Sequence, residues 1–308
     1  MQVPERAWRA AGTALVVLCT GCGDAPPRVV DGEDCLALVR TQVAAGPRVP
    51  GTAGHRETEA LIIRHLEATA EVVRVHSFQI ISPWDSSEVV LRNILGVFRP
   101  ESPVRILLGA HWDTRPGADR EEDPARRHLP VPGANDGASG TAVLLEVARA
   151  LADQPPSIGV DLVFFDGEDL GLDGQAETFA LGSAGFVRDH PSYRPAFALI
   201  VDMVGRAGTR IPREALSAAS AGALVEWVWR IGREAGVSVM ADSLGGPVYD
   251  DHVAFLRAGV PALDLVDLAD PAWHTTDDLP ANCSPLALEE TARWVLAVIA
   301  EAERTLSP

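Results

Sequence analysis

The sequence predicts an α/β protein: a single three-layer domain whose mixed, mostly parallel sheet is covered by helices on both faces. Three observations predict it. Short, almost wholly apolar runs recur at 105–110, 160–166, 197–204 and 260–266, and they lack the alternation of a strand with one wet face, so both faces are buried. Longer helix-patterned segments at 136–152, 214–235 and 285–305 are interleaved with them, as strand–helix–strand crossovers require. The 308 residues contain no internal repeat and no long low-complexity run, and they suffice for one large domain.

Taken in order, residues 1–22 read as a targeting segment. Arg6 and Arg9 precede an apolar stretch at 10–20 that is too short to span a bilayer. The run Leu18-Cys19-Thr20-Gly21-Cys22 resembles a bacterial lipobox, which implies acylation of Cys22 after cleavage; Cys19 departs from the usual aliphatic or small residue there. An ordinary secretory signal cut nearby is the alternative. Residues 23–33 form a tether and 34–308 the α/β domain. The expected location is outside the cytoplasm, lipid-anchored to a bacterial cell envelope or else periplasmic or secreted, with the membrane touched only through Cys22. Cys35 and Cys283 either pair in that oxidising space or are two buried thiols. No Cys-x-x-Cys motif is left after processing, so a thiolate zinc site is not expected.

Within the domain, 34–45 reads as a helix and 48–54 as a loop. A second helix over 55–68 places Leu61, Ile62, His65 and Leu66 on one face. Residues 71–81 and 87–98 form a pair of strands ahead of the buried strand 105–110. The stretch 115–132, rich in Pro, Arg, Asp and Glu, is a surface loop. Helix 214–235 carries Trp227 and Trp229, which cannot share one helical face two residues apart; one belongs to the core and the other is partly exposed. Acidic residues outnumber basic ones by 43 to 26, for a net charge of −17. That balance disfavours nucleic acid and anionic membrane surfaces as partners, and a monomer is expected.

The chemistry collects at the strand ends. Strand 105–110 runs into His111-Trp112-Asp113, and Asn135-Asp136-Gly137 precedes the next helix. Strand 160–166 runs into Gly167-Glu168-Asp169, strand 197–204 contains Asp202, a later loop holds Asp250-Asp251-His252, and Trp273-His274 follows the last strand. In open parallel sheets ligands bind beyond the carboxyl ends of the strands. Singly, each residue has a bland explanation: Asp136 caps its helix, or His111 is a satisfied core imidazole. Jointly, six such positions on one rim suit Zn²⁺, which takes His nitrogen and carboxylate oxygen and leaves a position open in catalytic sites. Glu168 and Asp169 are adjacent, so one can bind metal while the other faces substrate as a base. Asp113 is read as orienting His111. His55, His65, His76, His128 and His190 are read as surface or packing residues, and His252 as bonding within its loop or behind the acids.

Four segments carry a family resemblance: His111-x-Asp113, Gly133-Ala134-Asn135-Asp136-Gly137-Ala138-Ser139-Gly140, Phe165-Asp166-Gly167-Glu168-Asp169 and Trp273-His274-Thr275-x-Asp277-Asp278. They resemble the co-catalytic zinc aminopeptidase superfamily, and the chain from 46 to 299 is most similar to its glutaminyl cyclase branch. The cyclase resemblance implies one zinc ion on Asp136, Asp169 and His274, with Glu168 as proton shuttle and Asp202 and Asp250 as a hydrogen-bonded acidic pair near the substrate. Trp273 would form an aromatic wall, with Phe179 standing in part for a Trp that the animal enzymes carry just after the Glu168 position. The aminopeptidase resemblance implies two zinc ions, held by His111, Asp136 and Asp202 and by Asp136, Asp169 and His274. Asp250, where aminopeptidases more often have Ser, and Trp273 favour the cyclase. Its substrates would be the N-termini of peptides or proteins. A binding protein that has lost catalysis would lack a ligand or the base, and Asp136, Glu168, Asp169 and His274 are all present.

Overall fold

A computed structural model describes residues 28–307; the signal segment with Cys22, and the first part of the tether, lie outside them. Helices α1 (Gly32–Ala44) and α2 (Ala53–Thr69) open the fold, each started by a side-chain cap: Asp31 accepts from the Glu33 and Asp34 N–H groups, and Thr52 from His55. There follow strands β1 (Val72–Ile81), β2 (Glu88–Phe98) and β3 (Arg105–His111), helix α3 (Ala138–Asp153), β4 (Gly159–Phe165), α4 (Leu181–Asp189), β5 (Ala198–Asp202) and β6 (Ile211–Arg213). Helix α5 (Ala215–Ala235), β7 (Met240–Leu244), α6 (His252–Arg257), β8 (Ala262–Val266) and α7 (Pro285–Leu306) complete the chain.

The main sheet has the order β1-β2-β4-β3-β5-β8. Its four inner and C-terminal strands run parallel, and the β1–β2 hairpin joins antiparallel at one edge. Every residue of β4, β5 and β8 is buried, which is why these strands read as unbroken apolar runs. One face is covered by α1, α2, α3, α5 and α7, and the other by α4 and α6 through Phe186 and Phe255. The architecture is the predicted three-layer one. Each fully buried Leu, Val, Ile or Phe in these layers contributes about 1.5–3 kcal/mol.

Four elements carry too little local signal to be read from sequence. Helix α4 is preceded by Ala180, whose φ of 52° is left-handed and whose side chain caps nothing; no start signal exists there. Helix α6 is six residues long, and β6 and β7 pair only with each other. Helix α5 bends at Ala221, where φ is −134°. Trp229 is buried while Trp227 is partly exposed. Cys35 and Cys283 are separate, buried, free thiols, which decides between the two alternatives left open above. Burial pushes the Cys283 thiol up to about 12, and raises that of Cys35 as well.

Candidate active site

The parallel strands deliver their last residues to one rim. His111 ends β3 and Asp202 ends β5. After β4 the chain turns at Gly167, whose φ of 78° favours glycine, and presents Glu168 and Asp169. Two non-glycine residues beside the site, Met203 (φ 50°) and His274 (φ 55°), are also left-handed, the kind of local strain that a surrounding structure must hold in place. Asp136, Glu168, Phe179, Asp202, Asp250, Trp273 and His274 converge on one pocket of about 60 Å³, together with Tyr249, Val248, Met203 and Leu268. His111, Asp113 and Asp169 are buried and do not line it.

Two ligand clusters share Asp136: His111, Asp136 and Asp202, and Asp136, Asp169 and His274. They differ in spacing. His111 Nε2 lies 3.0 Å from Asp202 Oδ1 and 3.1 Å from Asp136 Oδ1, which are hydrogen-bond distances. His274 Nε2 lies 3.4 Å from Asp169 Oδ1 and 3.7 Å from Asp136 Oδ2. Two ligands each about 2.0–2.2 Å from a tetrahedral zinc sit about 3.3–3.6 Å apart. In the second cluster the His274–Asp169 distance falls in that range and the His274–Asp136 distance just beyond it, and the buried Asp169 Oδ2 has no hydrogen-bond partner among the described residues. Its donors, two carboxylates and one imidazole, fit zinc.

Other side chains hold these ligands. Asp113 Oδ1 lies 3.5 Å from His111 Nδ1, and the Asp113 carboxylate accepts the Glu168 and Asp169 N–H groups at 3.1 and 3.2 Å. Asp278 accepts the Asn135 and Asp136 N–H groups at 2.7 and 3.0 Å; burial and the Asp136 charge push its carboxyl up to about 7. Buried Arg48 donates to the carbonyls of Trp112, Pro132 and Gly133. The loop read as mere surface does more. Arg115 donates to Asp169 Oδ1 at 3.2 Å and to Asp119 at 2.5 Å, and Asp119 Oδ1 lies 3.2 Å from His274 Nδ1. The Arg115 guanidinium sits between the rings of Trp84 and Phe179, 5.2 Å from each centroid. Arg120 covers Trp273 at 4.9 Å. Nothing in the sequence singles out Trp84 at the tip of the β1–β2 hairpin. Arg115, two positions beyond Asp113, had only its place near a strand end to mark it. Trp112 packs beneath the rim, stacked on His55 at 4.2 Å, and His55 in turn lies 3.0 Å from Asp166.

The acids behind the pocket are wired differently from the expectation. No hydrogen bond links Asp202 to Asp250 among the described residues. Asp202 bonds instead with His111, because an imidazole offers a proton and a charge that a second carboxylate does not. Asp250 Oδ1 accepts the Asp251 N–H. Burial, and next the Asp202 charge, raises the Asp250 carboxyl above its ordinary range. Asp264 on β8 is raised well above it by burial and by Asp250 and Asp202. Burial, then the Asp250 charge, likewise holds Glu168 well above the usual carboxylate range. His252 is buried, with Nε2 3.2 Å from Glu214. The arrangement can therefore bind a metal ion at one wall and hold or move protons on Glu168 and Asp250 at the other.

Residues 93–299, more than half of the chain, match Peptidase family M28. The chain is 29% identical to aminopeptidase YwaD of Bacillus subtilis over 228 residues, which are 68% of this chain and 44% of that protein. It is 25% identical to glutaminyl-peptide cyclotransferase of Bos taurus over 288 residues, 83% of this chain and 77% of that protein. Among solved structures, glutaminyl cyclase of Bacteroides thetaiotaomicron aligns with a TM-score of 0.85 at 34% identity, covering 89% of this chain and 99% of that one. With a match of this extent on a site of this geometry, the chain belongs to peptidase family M28.

Proposed function

We propose that this protein cyclises N-terminal glutaminyl residues of peptides and proteins to pyroglutamate, releasing ammonia. The observation that carries this reading is the difference between the two ligand clusters. Asp136, Asp169 and His274 are spaced more openly, as ligands around a zinc ion are, while His111 is drawn in on Asp202 by a hydrogen bond and lies 3.1 Å from Asp136. The similarity to glutaminyl cyclases over most of both chains supports it.

The roles follow from position. Asp136, Asp169 and His274 would hold a zinc ion, which would supply Lewis-acid polarisation of a carbonyl oxygen. The pocket admits one side chain, and Trp273 and Phe179 pack on its methylenes. As the α-amine nitrogen attacks the γ-amide carbon, Glu168 takes one proton from the amine. It then gives that proton to the departing amide nitrogen, which leaves as ammonia. One C–N bond forms, one breaks, and no water is consumed. Asp250 and Asp202, which both line the pocket, hold the nitrogens in place.

A second reading, a dizinc aminopeptidase, is favoured by the convergence of all five ligand residues of such a site. Mass spectrometry of a Gln-Ala peptide and a Leu-initiated peptide, each incubated with zinc-loaded protein, separates the two. Loss of ammonia from the first with the second intact supports the cyclase. Free Leu without cyclisation overturns it and puts His111 and Asp202 on a second zinc ion. The same proposal includes a monomer anchored by lipid at Cys22, outside the cytoplasm. No helix of the described residues is long and apolar enough to cross a membrane. The intact mass of the protein from a membrane fraction, with and without Cys22→Ser, tests the anchor.

A further inference from the structure

A pocket of about 60 Å³ is too small for more than the side chain of a peptide's first residue. Everything that follows that residue must lie outside. A second groove, of about 290 Å³, runs between α4 and α6. It adjoins the catalytic pocket: Tyr249 lines both, and Ala180, which lines the groove, directly follows Phe179, which lines the pocket. Ala180, Ala184, Ala254 and Ala258 line it, short side chains that let a peptide main chain approach.

The two ends of this path differ in charge. The pocket end carries Glu168, Asp202 and Asp250, which suit an N-terminal amine. The groove end carries two arginines. Arg188 is occupied by Asp189 at 2.7 Å. Arg257 is exposed; it donates to the Tyr249 hydroxyl at 2.6 Å and lies 5.0 Å over that ring. No carboxylate of the described residues is within ion-pair distance of it. We propose that the α4–α6 groove seats the residues following the cyclised glutamine, and that Arg257 selects an acidic side chain there over a basic one. This rests on the cyclase reading and names its substrate class: peptides with an acidic residue shortly after the N-terminal glutamine.

An exposed ion pair, with the matching like-charge repulsion of a lysine, gives about a five-fold preference. The test measures kcat/KM for ammonia release from glutamine amide, Gln-Ala-Asp-Asp and Gln-Ala-Lys-Lys, using the zinc-loaded full chain. In the unaltered protein the acidic peptide should exceed the basic one about five-fold. The ratio should fall to near one in Arg257→Ala and invert in Arg257→Glu. Arg64→Glu on α2, with the same change in net charge away from the groove, should keep the original ratio. Ala254→Trp, which fills the groove, should lower both tetrapeptides relative to glutamine amide. Because these are ratios within one preparation, a partly misfolded variant does not blur them. Equal ratios in Arg257→Glu and Arg64→Glu would overturn the groove while leaving the cyclase reading intact. No ammonia from any substrate, glutamine amide included, would overturn both.

Discussion

Two side chains outside the candidate metal clusters set how Asp169 and His274 point. Arg115 occupies Asp169 Oδ1 and leaves Oδ2 unpaired, and Asp119 takes His274 Nδ1, which turns Nε2 toward Asp136 and Asp169. Removing an outer partner of this kind lowers metal affinity by about 10- to 100-fold. Asp119→Ala should therefore lose zinc to a chromogenic chelator at correspondingly lower chelator concentration, and unchanged competition would mean the contact is incidental. Glu168→Gln should act on another axis: kcat falling by about 10²–10⁴, with chelator competition as in the unaltered protein. The attacking amine must be neutral, and its free pKa is about 8. Activity should accordingly rise from about pH 6 to about pH 8; a flat profile would exclude the amine as nucleophile. Glu168 and Asp169 could be read from sequence because they follow a buried strand. Asp119 could not, since an Asp in a polar loop looks the same whether it faces solvent or a ligand 155 positions away.

Among the elements, α5 and the loop before α6 meet at one buried carboxylate. Glu214 caps α5 by accepting from the Leu216 and Ser217 N–H groups, and also accepts from Val248 N–H while facing His252. Its carboxylate thus fixes the loop that carries Tyr249 and Asp250. Burial disfavours its charge, but the His252 imidazole facing it and the hydrogen bonds from Ser217 and Leu216 outweigh that and bring it down to about 2. A depressed carboxyl contributes stability that is present above its ordinary pKa of about 4.3. That stability is lost as pH falls toward about 2. Glu214→Gln should lower unfolding free energy by about 1–3 kcal/mol at pH 7. The gap to the unaltered protein should close as denaturant titrations are taken below pH 4. A constant gap would mean that the charge is not what matters. Helices α1 and α7 were legible to within a residue or two because their patterns are long. Helices α4 and α6 were not, since a capless start and a six-residue length leave their formation to packing against β2, β5 and β8.

At the scale of the molecule, the rim depends on how helices clamp the sheet. Trp294 on α7 is fully buried, donates to the Val228 carbonyl of α5 at 3.0 Å and meets Trp229 edge-on at 5.1 Å. Trp294→Ala should cost about 3–5 kcal/mol by opening a cavity between these helices, read as a shift in the denaturation midpoint. Trp227→Ala, at a partly exposed position, should cost less.

The buried apolar runs, their order, and the acid or imidazole at each strand end were determined by the sequence alone. Strand burial and strand-end chemistry are written in consecutive residues, and parallel connection places all those ends on one side. Tertiary structure alone decided the partnerships. Asp202 turned to His111 rather than Asp250, Arg115 and Asp119 came out of a surface loop to hold ligands, and Cys35 and Cys283 stayed apart. Each of these is a choice among chemically similar partners far apart in the chain. Only distance and direction in the folded state can make that choice, because hydrogen bonds and ion pairs act over a few ångströms and take no account of sequence separation.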